Sequence, residues 1–193
     1  MAFRYAYALS GGIATGKSTV SKIFRQYGVD IIDADSVAHE ILEEQKEEIV
    51  KLFGEEYLKD GKVNRKKLGE LVFSSFDAKK RLENLLHPLI YKEIERQSRI
   101  LDTLEKPYFI DIPLFYETNR YPIKKSVVVY APKNIQLKRL MKRNGFSKKE
   151  AIGRIDSQID IEIKKKLATY LIDNSGDLHA LQRECDRIYE LLF

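Results

Sequence analysis

Eight consecutive residues, Gly11-Gly12-Ile13-Ala14-Thr15-Gly16-Lys17-Ser18, have the form G-x-x-x-x-G-K-[ST]. Residue types in that order suit the chemistry of a polyphosphate. The glycines permit backbone geometry closed to other residues, so successive N–H groups from Gly12 to Thr19 can converge on phosphate oxygens. Lys17 brings a mobile positive charge for the terminal phosphates, and the Ser18 hydroxyl suits Mg²⁺. The loop needs a strand before it and a helix after it, whose N-terminal dipole adds to the same point. Phe3–Leu9 is apolar and aromatic and reads as that strand; Ser18–Phe24 reads as that helix.

Carboxylates and guanidiniums further along can act on the same phosphates. Asp33 closes the short β-branched run Val29–Ile32. Ligands of open α/β sheets bind outside the carboxyl ends of the strands, so Asp33 is a candidate to accept a hydroxyl proton or to orient Mg²⁺ through water. Asp35 has a competing reading as the N-cap of a helix starting near Ser36. Asp111 ends the apolar strand Tyr108–Ile112, the position of a Walker B acid. Two readings stand for it: a water-mediated Mg²⁺ ligand, or a carboxylate bonded to nearby loop amides. Arg139 and Arg143 are spaced i, i+4 on one helix and either clamp a migrating phosphoryl group or face solvent. Arg154 and Gln158 repeat the spacing in a lysine-rich segment that reads as a mobile lid. His87, before Pro88 at an expected helix–helix junction, reads as structural, and His39 and His179 as solvent-facing.

These groups need a scaffold. Strands at Phe3–Leu9, Val29–Ile32, Tyr108–Ile112, Ser126–Tyr130 and Tyr170–Ile172 alternate with helices. That alternation predicts an α/β fold, a doubly wound parallel five-stranded sheet. The unbroken apolar run Val127-Val128-Val129 suits a strand buried on both faces. About 70 residues separate the second strand from the third, far more than an ordinary crossover. They read as helical almost throughout, with a turn at Asp60-Gly61. One domain is expected: a core of 1–35, 107–143 and 167–193, an inserted helical substrate lobe of about 36–106, and a lid of about 144–166.

Composition sets limits. In 193 residues, 44% are hydrophobic and 33% charged, enough apolar matter for a core under a soluble surface. The net charge of +5 admits an anionic partner, but the lysines are scattered, so no nucleic-acid partner is expected. The single cysteine, Cys185, lies on the stripe Leu178, Leu181, Cys185, Ile188, Leu192, one face of a helix, and reads as core. No Cys/His cluster suggests zinc. No signal peptide and no apolar run of about 18 residues is found, so no membrane partner and a cytoplasmic location are expected.

Taken together, the motifs resemble the dephospho-CoA kinase family over nearly the whole chain. Ser10–Thr19 matches its opening loop, and Ile32-Asp33-Ala34-Asp35 its I-D-A-D signature. Arg65, Leu68, Val72 and Phe73 match its R-x-x-L…V-F segment; Leu82, Leu85, His87, Pro88 and Ile90 match its H-P-x-I segment. Asp111–Glu117 matches D-x-P-L-[LF]-[FY]-E, Gln136–Arg139 matches Q-x-x-R, Arg154–Gln158 matches R-x-x-x-Q, and Ile172–Gly176 the I-x-N-x-G ending. Ala168-Thr169 departs from the family's usual Ala-Asp.

The resemblance implies a P-loop NTPase with core, CoA-substrate lobe and lid. It implies transfer of the ATP γ-phosphoryl group, with Mg²⁺, to the ribose 3′-hydroxyl of dephospho-CoA. Asp33, Lys17 and Arg139 would be catalytic, with Arg143 assisting on the ATP side. Asn174 would lie near the adenine, and Arg65, His87, Leu114, Glu117 and Arg154 on the acceptor side, where Asp33 also belongs. ATP and dephospho-CoA would be the partners of a monomer or weak homo-oligomer. The competing reading is a nucleoside monophosphate or other small-molecule kinase. A base-like Asp33 counts against a phosphate acceptor, which has no such proton to lose. A nucleotide switch is disfavoured because N-K-x-D is missing. A nucleic-acid ATPase rests only on the net charge.

Overall fold

The computed structural model describes residues 2–193. Its main strands are β1 (Ala6–Gly11), β2 (Ile31–Asp33), β5 (Tyr108–Asp111), β6 (Lys125–Tyr130) and β7 (Tyr170–Asp173). They form one parallel sheet in the order β2-β5-β1-β6-β7. Register aligns the carboxyl ends: Leu9 lies opposite Asp111, Gly11 opposite Val129, and Tyr130 opposite Asp173. The chain runs outward from β1 to β2 and later to the opposite side at β6, so β1 is the switch point where such sheets bind ligands.

Alternation along the strands dictates the packing. Tyr7 and Leu9 of β1 and Val127 and Val129 of β6 face α1 (Lys17–Gln26) and α10 (Leu178–Leu192). They meet Val20, Ile23 and Phe24 from the first helix and Leu181, Cys185 and Ile188 from the second. Val128 and Tyr130 point the other way and pack with Ile161 of α9 (Ile161–Leu167). Both faces of β6 are covered, which is why Val127, Val128 and Val129 run without a polar break. The remaining core helices are α6 (Phe115–Thr118), α7 (Lys133–Asn144) and α8 (Lys148–Asp156). The charged stretch 148–166 is therefore two helices. Ser147 and Glu150 form a capping box on α8, and Asp160 caps α9.

The chain divides into two compact units, one of residues 33–97 and one of 1–32 with 98–193. The smaller unit holds α2 (Ala34–Glu44), α3 (Lys46–Phe53), a 3-10 turn (Glu55–Tyr57), and α4 (Arg65–Ser74). It also contains most of α5 (Phe76–Asp102). The stretch read as helical almost throughout also contains a hairpin around the expected turn, β3 (Leu58–Lys59) and β4 (Lys62–Val63). Asp60 and Gly61 have φ of 52° and 74°, the two positive values that a tight hairpin turn requires. A second difference concerns Pro88. It does not mark a junction; α5 runs through it, giving up only the bond that a Pro88 N–H would have made to Asn84. A third is the lobe's end, expected near 106. The last turn of α5 belongs with the core, because Ser98 Oγ accepts from Phe3 N at 3.0 Å. Asp102 likewise accepts from Arg4 N and Tyr5 N at 3.1 and 3.0 Å. Those polar ties carry no periodic signal.

Candidate active site

At the end of β1 the chain passes through residues 12–16 and enters α1 at Lys17, with Gly16 as N-cap and no capping side chain. The first-turn N–H groups of Lys17 and Ser18 are thus left without intrahelical acceptors. Two glycines are obligatory. A Cβ at Gly11 would lie 2.7 Å from Thr15 Oγ1 and 2.9 Å from the Val129 carbonyl. Gly16 has φ of 96°, and a Cβ there would lie 2.1 Å from Asn174 Nδ2.

The loop is held from behind by side chains. Thr15 is fully buried, and its hydroxyl donates to Gly12 O at 2.9 Å. Asn174, just past β7, donates from Nδ2 to Thr15 O at 2.7 Å. Arg139 on α7 donates to Thr15 O at 3.4 Å and to Asn174 O at 3.0 Å. Gln136, one helical turn earlier, is buried and donates to Ala131 O at 2.9 Å. Ile13 N–H donates to Gln158 Oε1 at 2.8 Å, so a side chain from beyond α8 already occupies that amide.

These elements enclose a cavity of about 800 Å³ lined by the loop, Lys17, Ser18, Arg139, Arg143 and Asn174. Gly12, Ala14, Gly16 and Thr19 also line it; Ile13 and Thr15 do not. Lys142 adds a further cation and Asp177 an anion. Asp177 caps α10 through Ala180 N at 2.8 Å, and that bond to a backbone amide lowers its carboxyl below the usual range. Lys17 is ion-paired with Asp111, whose other oxygen accepts from Ser21 Oγ at 2.9 Å. Asp111 is only 5% exposed, so its two partners are what make its burial tolerable. Neither open reading of Asp111 anticipated Lys17 and Ser21 as those partners.

A dephospho-CoA kinase family profile matches residues 5–180 of this sequence. The chain belongs to the dephospho-CoA kinase family. It is 56% identical to the dephospho-CoA kinase of Sulfurimonas denitrificans, over 98% of this chain and 95% of that one. Identity to the enzyme of Wolinella succinogenes is 46%, over 97% and 94%. The structure of dephospho-CoA kinase from Campylobacter jejuni, 41% identical, superposes with a TM-score of 0.77 over 96% of each chain. A Thermus thermophilus protein of 32% identity superposes with a TM-score of 0.82 over 97% of each. The chain is thus an ATP-dependent kinase of coenzyme A synthesis.

The remaining residues expected to serve this kinase fall in both units. Asp33, rather than Asp35, is the N-cap of α2: its Oδ1 accepts from Asp35 N and Ser36 N, both at 3.0 Å. The helix starts at Ala34, two residues earlier than read, because the chain leaves β2 without a linker. His87 lines a second cavity, of about 520 Å³, within the smaller unit, and Arg65 lines a third. Leu114 is the N-cap of α6 and 41% exposed. Arg154 stacks over the Phe146 ring at 4.4 Å. Glu117 Oε1 meets Lys164 Nζ at 2.6 Å and accepts from Ile159 N at 3.1 Å.

Lys164 escaped the sequence reading. A signal existed: it shares the buried stripe of α9 with Ile161, at i, i+3, an apolar position for a lysine. Ser21, buried on the inner face of α1, also escaped that reading.

Proposed function

We propose that the chain transfers the γ-phosphoryl group of ATP to the ribose 3′-hydroxyl of dephospho-CoA, and that the cationic cavity over residues 12–19 holds the triphosphate. The observation that carries this reading is the meeting of Lys17, Ser18, Arg139 and Arg143 in one cavity at the switch point of the sheet. Backbone N–H groups of the loop and the start of α1 bind phosphate oxygens without reorganising. Lys17 exchanges Asp111 for the phosphates and stabilises the charge that moves with the phosphoryl group. Arg139, already fixed by Thr15 O and Asn174 O, adds a second cation, with Arg143 one turn beyond.

Asp33 accepts the proton of the acceptor hydroxyl. Its capping bonds both use Oδ1, which leaves Oδ2 for that task. Arg65, His87, Leu114 and Arg154 are assigned to the acceptor side by their place in the family motifs; Glu117 shares that motif placement, but its carboxylate is already paired with Lys164.

The donor set fits Mg²⁺. Ser18 offers an exposed hydroxyl oxygen in the cavity, and Asp111 becomes available when Lys17 leaves it. Among the described residues no three His, Cys, Asp or Glu side chains gather at one point. The hydroxyl and single carboxylates suit a cation that keeps its waters and arrives on nucleotide phosphates. When bound, Mg²⁺ neutralises charge on the phosphate oxygens.

The test is ADP release in the presence of ATP and Mg²⁺, with dephospho-CoA, AMP or no acceptor, and product mass. Turnover that requires dephospho-CoA and adds one phosphoryl group is expected. Turnover with AMP alone would replace the acceptor in this reading.

A further inference from the structure

Lys164 is a charged side chain with no exposure at all, and its surroundings are specific. Its Nζ donates to Gly11 O at 3.0 Å, at the last residue of β1, and pairs with Glu117 Oε1 at 2.6 Å. The same Glu117 oxygen accepts Ile159 N–H, while Glu117 Oε2 is buried without a hydrogen-bond partner among the described residues. One ammonium therefore joins three pieces of chain: the start of the phosphate loop, α6 and the entry to α9. Six residues before it, Gln158 takes Ile13 N–H. Segment 158–164 thus grips the loop on both sides of Gly12.

A buried ion pair of this kind is a weak stabiliser, since apolar residues of similar volume often serve as well or better. Its use must lie in direction. The peptide group is planar, with C=O and N–H pointing opposite ways. Drawing Gly11 O toward Lys164 therefore aims Gly12 N–H away from it, and Gly12 lines the nucleotide cavity. An apolar residue at 164 would take away the bond that fixes the direction of Gly11 O.

We propose that Lys164 is a positioning residue for phosphoryl transfer: through Gly11 O it orients the first peptide of the phosphate loop, and Glu117 is its counter-ion. This rests on the kinase reading above, and it gives Glu117 a task on the nucleotide side instead of the acceptor side.

The double variant Lys164→Met with Glu117→Gln removes both charges together, and the new amide oxygen can still accept Ile159 N–H. It should fold, by circular dichroism, with KM for ATP raised at least tenfold, kcat lowered, and KM for dephospho-CoA within twofold of the parent. A folded double variant with unchanged ATP parameters would overturn the proposal. A rise confined to KM for dephospho-CoA would also overturn it, and would return Glu117 to the acceptor. A second readout uses the wild-type protein and so does not depend on any variant folding. A buried, hydrogen-bonded lysine ammonium should give a slowly exchanging ¹⁵N resonance that persists and shifts when ATP is added. Lysine ammonium groups that all exchange at the rate of exposed ones would overturn it. A wild-type protein with no dephospho-CoA-dependent turnover would sink the kinase reading, while the resonance arm would still judge the tie itself.

Discussion

The phosphate loop and the 33–97 unit are built on opposite plans. Around the loop, side chains from distant segments hold chosen backbone groups: Gly11 O by Lys164, Ile13 N by Gln158, Thr15 O by Asn174 and Arg139. In the smaller unit the noticeable feature is apolar surface left open. Phe73 is 95% exposed and Phe76 83%, and Phe73 lines a cavity with Val72, Leu82, Leu86, His87 and Ile90. A phosphate chain is small, charged and always the same shape, so fixed donors placed in advance recognise it best. A larger acceptor with apolar parts is recognised by area and fit, which an open surface supplies.

Lys17→Ala strikes the rigid side of this contrast hardest. Removing the cation should lower kcat by at least about a thousandfold at saturating ATP, about 4 kcal/mol of barrier. It also strips the buried Asp111 of its ion-pair partner, so thermal unfolding should be recorded on the same sample. A kcat near that of the parent would remove the loop from the chemistry.

Next in size is a cut in the smaller unit's own core. Leu68 is 2% exposed, and Leu68→Ala should cost about 3 kcal/mol in denaturant unfolding. A loss below about 0.5 kcal/mol would mean that this unit is not packed around α4.

Asp33→Asn separates capping from catalysis, because asparagine caps a helix as well as aspartate does. Helix content and ATP affinity should hold while kcat falls about a hundredfold. Retained turnover would leave Asp33 as a cap only.

A smaller effect follows from Cys185. Burial pushes its thiol up to about 12. A folded-state value above the unfolded one, about 8.5, means that the folded chain keeps a proton that the unfolded chain releases. This stabilisation is complete below about pH 8.5 and is lost as pH rises toward 12, at up to about 1.4 kcal/mol per pH unit. Cys185→Ala should flatten the decline of unfolding free energy between roughly pH 8 and pH 10. An identical slope in the variant would assign the decline to other groups. In the native protein the thiol should resist alkylation at about pH 8 and react on denaturation.

The smallest expected change is Phe73→Ser, within about 0.5 kcal/mol in stability, since so little of the ring is buried. A rise in KM for dephospho-CoA alone would place the acceptor against this patch. Unchanged kinetics would leave the patch outside the site.

Much of this molecule is legible in its sequence. The β1–loop–α1 unit could be read because its signals are local: apolar strand, glycine-dependent turn and helix follow one another in about 24 residues. The sheet strands could be read because burial on both faces leaves short unbroken apolar runs, and the core stripe of α10 because burial of one helix face imposes a period of 3.6. Local chemistry misled at two points. Asp33 and Asp35 are equally good cap residues, and only the angle at which the chain leaves β2 selects Asp33. Pro88 is a helix breaker by propensity, yet the 27-residue α5 absorbs the loss of one bond.

Local patterns along the chain were enough to settle a parallel α/β core, a phosphate loop and a family resemblance across its length. What holds the loop in shape was settled only by folding. Lys164 lies 153 positions from Gly11, and Asn174 159 from Thr15. Asn174 sits in a motif and Lys164 on a buried stripe, but which residue each one meets is written in neither, because the pairing is selected by the folded backbone and not by the neighbours of either residue. The same holds for the partners of Asp111, since a carboxylate at a strand end has one meaning to local physics and several once the sheet has assembled.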